Sequence, residues 1–502
     1  MQFNSYLFLF LFLPLTLAGY FGLYRLGRGR GARLFLTAAS LIFFGYGNPW
    51  YVVLLAASAL FNWWVSVRLT GRTITGIPRR ADAGPAERAD LGAGRPKPGG
   101  GGLSRGLLAF GILVNLGLLF YYKYFNFFID NLNLVLKQDW VFSQVLLPAG
   151  ISFFTFQQIA WLVDSYRQET GEYGFLDYLL FTVYFPKISM GPILLHGEFI
   201  PLLQEEKRRR PDPEYMARGL MMLAVGLFKK VILAEFFGGA VTWGYDNVAS
   251  LSASDAFCVM LAYTFQLYFD FSGYCDMAGG ISRMLHLDLP QNFNSPYKAL
   301  SPVDFWKRWH MTLTRFLRTY IYFPLGGSRR GTVRTYINIM VIFLVSGIWH
   351  GAAWTFIFWG LLHGLAQCAQ RALGSFWKGL HPAFQWMCTF LFVNVGWVFF
   401  RAETIGQGVE FLKKMGNFSN MQLNPGFIES FSMVELPSIF QDHRIMTVAL
   451  AYAAALCLVM NARNMDERVF RPNIRSAVGT AVLFVWSVLS LSGISTFIYF
   501  QF

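Results

Sequence analysis

Several stretches of this chain stay apolar for about 18 residues or more, among them 5–24, 105–122, 216–234 and 476–499, and a helix of that length crosses the hydrocarbon core of a bilayer. In water these runs would have to be hidden together, and the chain has little polar material to hide them with. Of its 502 residues 55% are apolar and only 14% charged, where soluble domains carry about 25%. Backbone inside lipid must satisfy its own hydrogen bonds, which for runs of this length means helices. The sequence therefore reads as an all-α, polytopic integral membrane protein.

On a soluble protein the formal charge of +14 would point to nucleic-acid binding. Here Lys and Arg concentrate between the apolar runs, where they mark cytoplasmic loops, so the charge reports topology and no nucleic-acid partner is expected. Five cysteines (Cys258, Cys275, Cys368, Cys388 and Cys457) lie in or beside apolar segments without a CxxC pair, which predicts neither a disulfide frame nor a zinc site. The first apolar run has its basic cluster (Arg25, Arg28, Arg30, Arg33) behind it, the reverse of a cleaved signal peptide. It is expected to remain as a span with the N-terminus outside.

Basic loops, used as parity checks, place about eleven to twelve spans: near 6–24, 34–47, 50–69, 105–128, 144–163, 216–237, 255–274, 333–349, 352–371, 383–401, 444–461 and 476–497. Residues 70–105, rich in Gly, Pro and Arg, form a flexible cytoplasmic linker, either solvated or resting on anionic lipid. Two segments break the pattern. Residues 175–200 are apolar, yet a full crossing there would put Lys207-Arg208-Arg209-Arg210 on the wrong side. FPK at 185–187 and MGPI at 190–193 also interrupt a helix, so a re-entrant segment is predicted. Residues 281–332 are too polar for a crossing but carry Phe305, Trp309, Leu313, Phe316, Leu317, Tyr320 and Ile321 at helical spacing, which predicts amphipathic or re-entrant helices on the cytoplasmic side. A polar excursion at 402–443 is expected outside, and the basic loop Arg463–Arg475 inside. No soluble domain stands apart, so 1–502 is expected to be one membrane-embedded domain.

Polar side chains inside apolar segments are costly, so each asks for a reason. Two histidines occur in Trp-His pairs, Trp309-His310 and Trp349-His350, and Gly347 and Gly351 flank His350 in GIWHGAAW. A neutral imidazole accepts a proton from an attacking hydroxyl near pH 7; the other reading is a structural histidine hydrogen-bonded between helices. His363, in GLLHG, follows thirteen residues after His350, about 220° around a helix, so the two do not form a metal-binding stripe. Asp270, in QLYFDFSGYCDM, needs a partner such as Arg or Ser, or a proton of its own. Lys187, beside Pro186, either meets an anionic ligand or headgroup or snorkels to the interface. Arg308 stands four positions after Asp304, an arrangement open to donor binding or to a salt bridge between the two. No GxSxG, Walker A or HExxH motif is present, and the Gly run at 99–102 lacks the Lys-Ser/Thr ending of a phosphate loop.

Three blocks carry a resemblance to a known family: YFPKISMGPI (184–193), YFDFSGYCDMAGGISRMLHLDLPQNFNSPYKALSPVDFWKRWHMTLTRFLRTYIYFPLGG (268–327) and SGIWHGAAWTFIFWGLLHG (346–364). Over roughly 40–400 the chain resembles the membrane-bound O-acyltransferase (MBOAT) family, within it the bacterial branch of alginate O-acetyltransferase and the D-alanyl-transferring teichoic acid protein. Its length, FPLGG and C-terminal tail look more like the alginate side. The resemblance implies the family's helical fold with thinned, funnel-like cavities, and its core motifs fall in 184–364. It also implies an O-acyl transfer with an essential histidine matching His350, as general base, and a second functional histidine matching His310, which would position the donor or relay the acyl group. Asp304, Arg308, Asp270, Lys187 and His363 become candidate substrate-binding residues.

By the same resemblance no cofactor or metal is bound, and acetyl-coenzyme A or an acyl carrier is the donor. The acceptor would be a secreted polysaccharide, foremost alginate, reached with periplasmic partner proteins at the bacterial inner membrane. Cellulose or peptidoglycan would suit the same machinery. A non-enzymatic channel for acyl groups or polysaccharide, lined by the histidines, is the rival of a different class.

Overall fold

The computed structural model describes residues 1–71, 102–142, 147–205, 210–431, 443–468, 470–491 and 497–498. Most of the expected linker at 70–105, three residues of the basic run ending at Arg210, and 432–442 of the expected external excursion lie outside the described residues. Among the described residues every regular element is helical, as the apolar runs predict. The chain divides into two compact units, Met1–Ala217 with Ile281–Leu289, and Arg218–Gly280 with Pro290–Phe502.

The first unit contains α1 (Phe8–Arg25), α2 (Gly29–Gly45), α3 (Trp50–Thr70), α4 (Gly102–Leu136), α5 (Ile151–Tyr166), α6 (Phe175–Val183) and α7 (His196–Gln204). Expected from residue 144, α5 starts only at Ile151. Pro148 has no N–H to give, and Gly150 turns the chain in the left-handed region (φ 75°), where a Cβ would meet the Ile188 carbonyl at 2.1 Å. Leu55, Leu119, Ile151, Phe154, Val183 and Ile188 form an apolar cluster in this unit. Polar pairs tie its helices together. Asn62 and Asn115 exchange amide hydrogen bonds of 3.1 and 2.7 Å between α3 and α4, and Ser66 and Ser165 share one of 2.8 Å between α3 and α5. Within lipid such pairs act as interhelical glue, contributing about 0.6 kcal/mol each on average.

The segment expected to be re-entrant is broken into α6, a single turn at Phe185–Ile188, and α7. Nine residues, the length of α6 and of α7, rise only about 13.5 Å, less than half of the hydrocarbon core. Neither helix is long enough to cross alone, and the re-entrant reading is tested by labelling. In a cysteine-free background, single cysteines at Glu172 and Arg210 are therefore expected to react with a membrane-impermeant thiol reagent from the same face. Labelling from opposite faces would make the segment a crossing and invert the topology after it.

The second unit holds α8, which comprises Pro213–Leu227, a π-helical stretch Phe228–Ala234 and Glu235–Asp246, then α9 (Ala253–Met284), α10 (Pro302–Arg308), α11 (Met311–Leu317), α12 (Thr332–His350), α13 (Trp354–Ala372), α14 (Pro382–Arg401), α15 (Ile405–Met415), α16 (Arg444–Asn461) and α17 (Ile474–Leu489). The first residues of α8 and the last of α9 belong to the first unit. Pro302 and Pro382 sit in the first turns of α10 and α14, where a missing N–H costs nothing, and Ser301, Thr404 and Asn473 cap α10, α15 and α17. As the spacing in 281–332 predicts, α10 and α11 are short and bury their apolar face, including Phe305, Leu313 and Phe316.

Among the described residues six helices are long and apolar enough to cross a bilayer: α1, α3, α4, α12, α14 and α16. The other six expected spans are helical as well. However, α2, α5 and α17 have only 17, 16 and 16 residues, α8 carries Lys229 and Lys230 at mid-length, and polar residues punctuate α9 and α13. Phe10 on α1, Leu113 on α4 and Leu450 on α16 each leave more than half of their surface outside the protein, as side chains that face lipid do. The chain is a multi-pass membrane protein.

Candidate active site

The Gly-rich block around His350 folds as a tight hairpin of α12 and α13. A Cβ on Gly347 would stand 2.4 Å from the Phe356 carbonyl, and one on Gly360 2.5 Å from the Phe343 carbonyl. The two helices thus touch backbone to backbone, the close approach that small residues permit in membrane bundles. His350 is the last residue of α12 and is buried at the turn. Its ring lies edge-on to Trp349 (4.9 Å), Trp359 (4.9 Å) and Phe400 (5.5 Å). Nδ1 lies 2.6 Å from the Ser346 carbonyl oxygen. A carbonyl only accepts, so Nδ1 carries the hydrogen and Nε2 is the basic nitrogen of the neutral ring.

His310 occupies the junction of α10 and α11 with φ 46° and ψ 53°, a left-handed conformation uncommon for a residue with a side chain. The position is held by Asn292, whose backbone oxygen accepts from Met311 N (3.0 Å). The Asn292 Oδ1 accepts from Thr312 N (3.2 Å) and Thr312 Oγ1 (2.9 Å), and it lies 3.2 Å from His310 Nδ1. With Oδ1 fixed as an acceptor, His310 Nδ1 is the donor, and its Nε2 is again the basic nitrogen. Burial first, and the neighbouring His350 second, push the His310 imidazole well below its ordinary value, so it is neutral at pH 7. Trp349 touches both histidines, its ring 5.9 Å from that of His310 and 4.9 Å from that of His350.

His363 joins the same aromatic assembly from α13, accepting a 3.1 Å hydrogen bond at Nδ1 from the Trp306 indole and packing at 4.8 Å on Trp359. The structure thus gathers His310, His350 and His363 in the second unit, with His350 and His363, about 220° apart on a single straight helix, carried instead by two helices, α12 and α13. Asp304 and Arg308 are bound to each other at 2.9 Å, while Asp304 also accepts from Leu300 N at 3.3 Å and Arg308 donates to the Asn294 carbonyl at 3.3 Å. Of the two readings left open for that pair, the salt bridge is present. Asp270, on α9, is enclosed by Lys230 Nζ (2.7 Å) and the Ile498 amide (3.2 Å), a structural engagement with a lysine where Arg or Ser was expected. Lys187 lies buried in the first unit, hydrogen-bonded to Gln157 Oε1 and 4.8 Å from the Phe181 ring centre, so it does not snorkel.

Asn292 and the Ser346 carbonyl, which set the tautomers of the two main histidines, are absent from the residues singled out by sequence. A backbone carbonyl leaves no signal in a sequence. Asn292 offers one only through its place in the polar, Pro-flanked LPQNFNSP.

Residues 50–405 match the family model described as MBOAT, membrane-bound O-acyltransferase. The chain is 38% identical to a peptidoglycan O-acetyltransferase of Helicobacter pylori over 84% of its own length and 81% of that protein's. It is 34% identical to a probable alginate O-acetylase of Azotobacter vinelandii over the whole of both chains. A probable alginate O-acetylase of Pseudomonas aeruginosa is 36% identical over 84% of this chain and 76% of that one. With a family match over most of its length and these relatives, the chain belongs to the membrane-bound O-acyltransferase family.

Proposed function

We propose that this acyltransferase moves acetyl groups from acetyl-coenzyme A, or from an acyl carrier, toward a secreted polysaccharide at the bacterial inner membrane, with alginate the foremost acceptor. The observation that carries the proposal is the Nδ1 hydrogen bond of His350 to the Ser346 carbonyl, which leaves Nε2 to act as base. The acceptor hydroxyl oxygen attacks the thioester carbonyl carbon while His350 Nε2 takes its proton. Collapse of the tetrahedral intermediate breaks the C–S bond, and the departing thiolate takes that proton back, leaving an O-acetyl ester and a free thiol. His310 positions the donor, and the positive charges of exposed Lys307 and half-buried Arg315 attract its anionic groups. Periplasmic partner proteins complete the delivery to polymer.

Peptidoglycan is the second reading, favoured by the 38% identity to the Helicobacter pylori enzyme. The test is to reconstitute the purified protein in lipid with radiolabelled acetyl-coenzyme A and an oligosaccharide of each polymer. Release of free thiol with label on a sugar hydroxyl is expected. Passage of label across the bilayer without thioester cleavage would instead make the protein a channel.

A further inference from the structure

Two hydrogen-bond donors inside the aromatic assembly are buried without an acceptor among the described residues: the Trp359 indole Nε1 and His363 Nε2, on residues 1% and 0% exposed. The proton of His363 can be placed by chemistry. An indole N–H only donates, and Trp306 donates to His363 Nδ1, so Nδ1 holds the lone pair and Nε2 holds the hydrogen. The two donors belong to successive turns of α13 and face the same point on α14. Where a Cβ would stand on Gly396, His363 Nε2 is 3.1 Å away and Trp359 Nε1 3.7 Å away. A buried N–H with no acceptor costs free energy, and Phe or Leu would fill this volume without that cost. The other edge of the Trp359 contacts leads to His350, 4.9 Å between ring centres.

We propose that Trp359 Nε1–H and His363 Nε2–H, above the bare backbone of Gly396, form the site that receives the acyl carbonyl oxygen of the thioester. The inference rests on the reading of His350 as base. As the hydroxyl attacks, the carbonyl π electrons move onto that oxygen, and two donors fixed in a dry aromatic setting meet the new charge without having to reorganise. Trp306 is then a positioning residue, because its indole decides which nitrogen of His363 carries the hydrogen. A buried water would satisfy the same two donors, and the experiment separates the two sources of oxygen.

Gly396→Ala places one methyl at the point of convergence, 3.7 Å from Trp359 Nε1 and a tight 3.1 Å from His363 Nε2, so the His363 ring has to give by a few tenths of an ångström, and the unfolding temperature checks that the fold is kept. In the reconstituted protein its kcat for acetyl transfer is expected to fall about 10²–10³-fold, as when an oxyanion donor is lost, with KM for acetyl-coenzyme A changed only a few-fold and the unfolding temperature unmoved. Trp359→Phe, which removes one N–H and keeps a ring, should lose kcat in the same way. His363→Gln, which keeps an acceptor for Trp306 and a donor toward Gly396, should exceed His363→Leu by at least about tenfold. Unchanged kcat in both Gly396→Ala and Trp359→Phe would overturn the proposal and leave the donors to water. The parent reading fails separately, if the unaltered protein does not cleave the thioester or if His350→Ala still does.

Discussion

His350→Ala is expected to lower kcat for acetyl transfer by about 10²–10⁴-fold, the range that loss of a general base commonly produces. The tautomer of the ring sets this expectation. With Nδ1–H committed to the Ser346 carbonyl at 2.6 Å, the ring can turn only one nitrogen toward a hydroxyl, and that nitrogen is unprotonated in the neutral form. Removing the ring also takes a packing contact from each of Trp349, Trp359 and Phe400, so accumulation of the variant must be checked by its yield in purified membranes. His350→Gln is the control for packing. Its amide can still donate to Ser346, yet it cannot take a proton near pH 7. Near-normal transfer by a well-accumulated His350→Gln would remove the general-base role outright.

The second large effect concerns stability. Lys230 and Asp270 form an ion pair of 2.7 Å whose side chains are only 2% and 1% exposed, with Glu235 as a further partner of Lys230 at 2.8 Å. Lys230→Met strands the Asp270 carboxylate with little more than the Ile498 amide, and breaking a buried pair from one side commonly costs about 3–5 kcal/mol. Denaturant unfolding in detergent should show that loss. The double variant Lys230→Met/Asp270→Leu should recover part of it, because no charge is then left without its partner. A single variant within about 1 kcal/mol of the parent would mean that water reaches Asp270 and the pair is not sealed.

The helical character of α1, α3, α4, α12, α14 and α16 was legible because each is a run of apolar residues long enough for a bilayer, a property local to the run. The broken stretch at 175–204 was legible for another reason, since Pro186 and Gly191 and the basic residues beyond it all oppose a crossing. The span ends were less so. Pro148 and Gly150 shorten α5, and hydropathy averages over such residues. Both Trp-His pairs stood out in the sequence, and the structure brings their histidines to the same indole, that of Trp349. What gives the histidines their orientation did not stand out, because it comes from residues distant in sequence. Asn292 reaches His310 across eighteen positions, Trp306 reaches His363 across fifty-seven, and Lys230 reaches Asp270 from another helix. Periodicity within one segment carries no trace of such pairings.

The backbone crossing of α12 and α13 at Gly347 and Gly360 has a consequence for how this scaffold tolerates change. His350 hangs from the end of a hairpin whose spacing at these two glycines is set by main-chain atoms. The hairpin itself admits almost no variation, since any side chain at either glycine would push the helices apart. The place of the His350 backbone at the end of this hairpin is thereby fixed by main-chain contact.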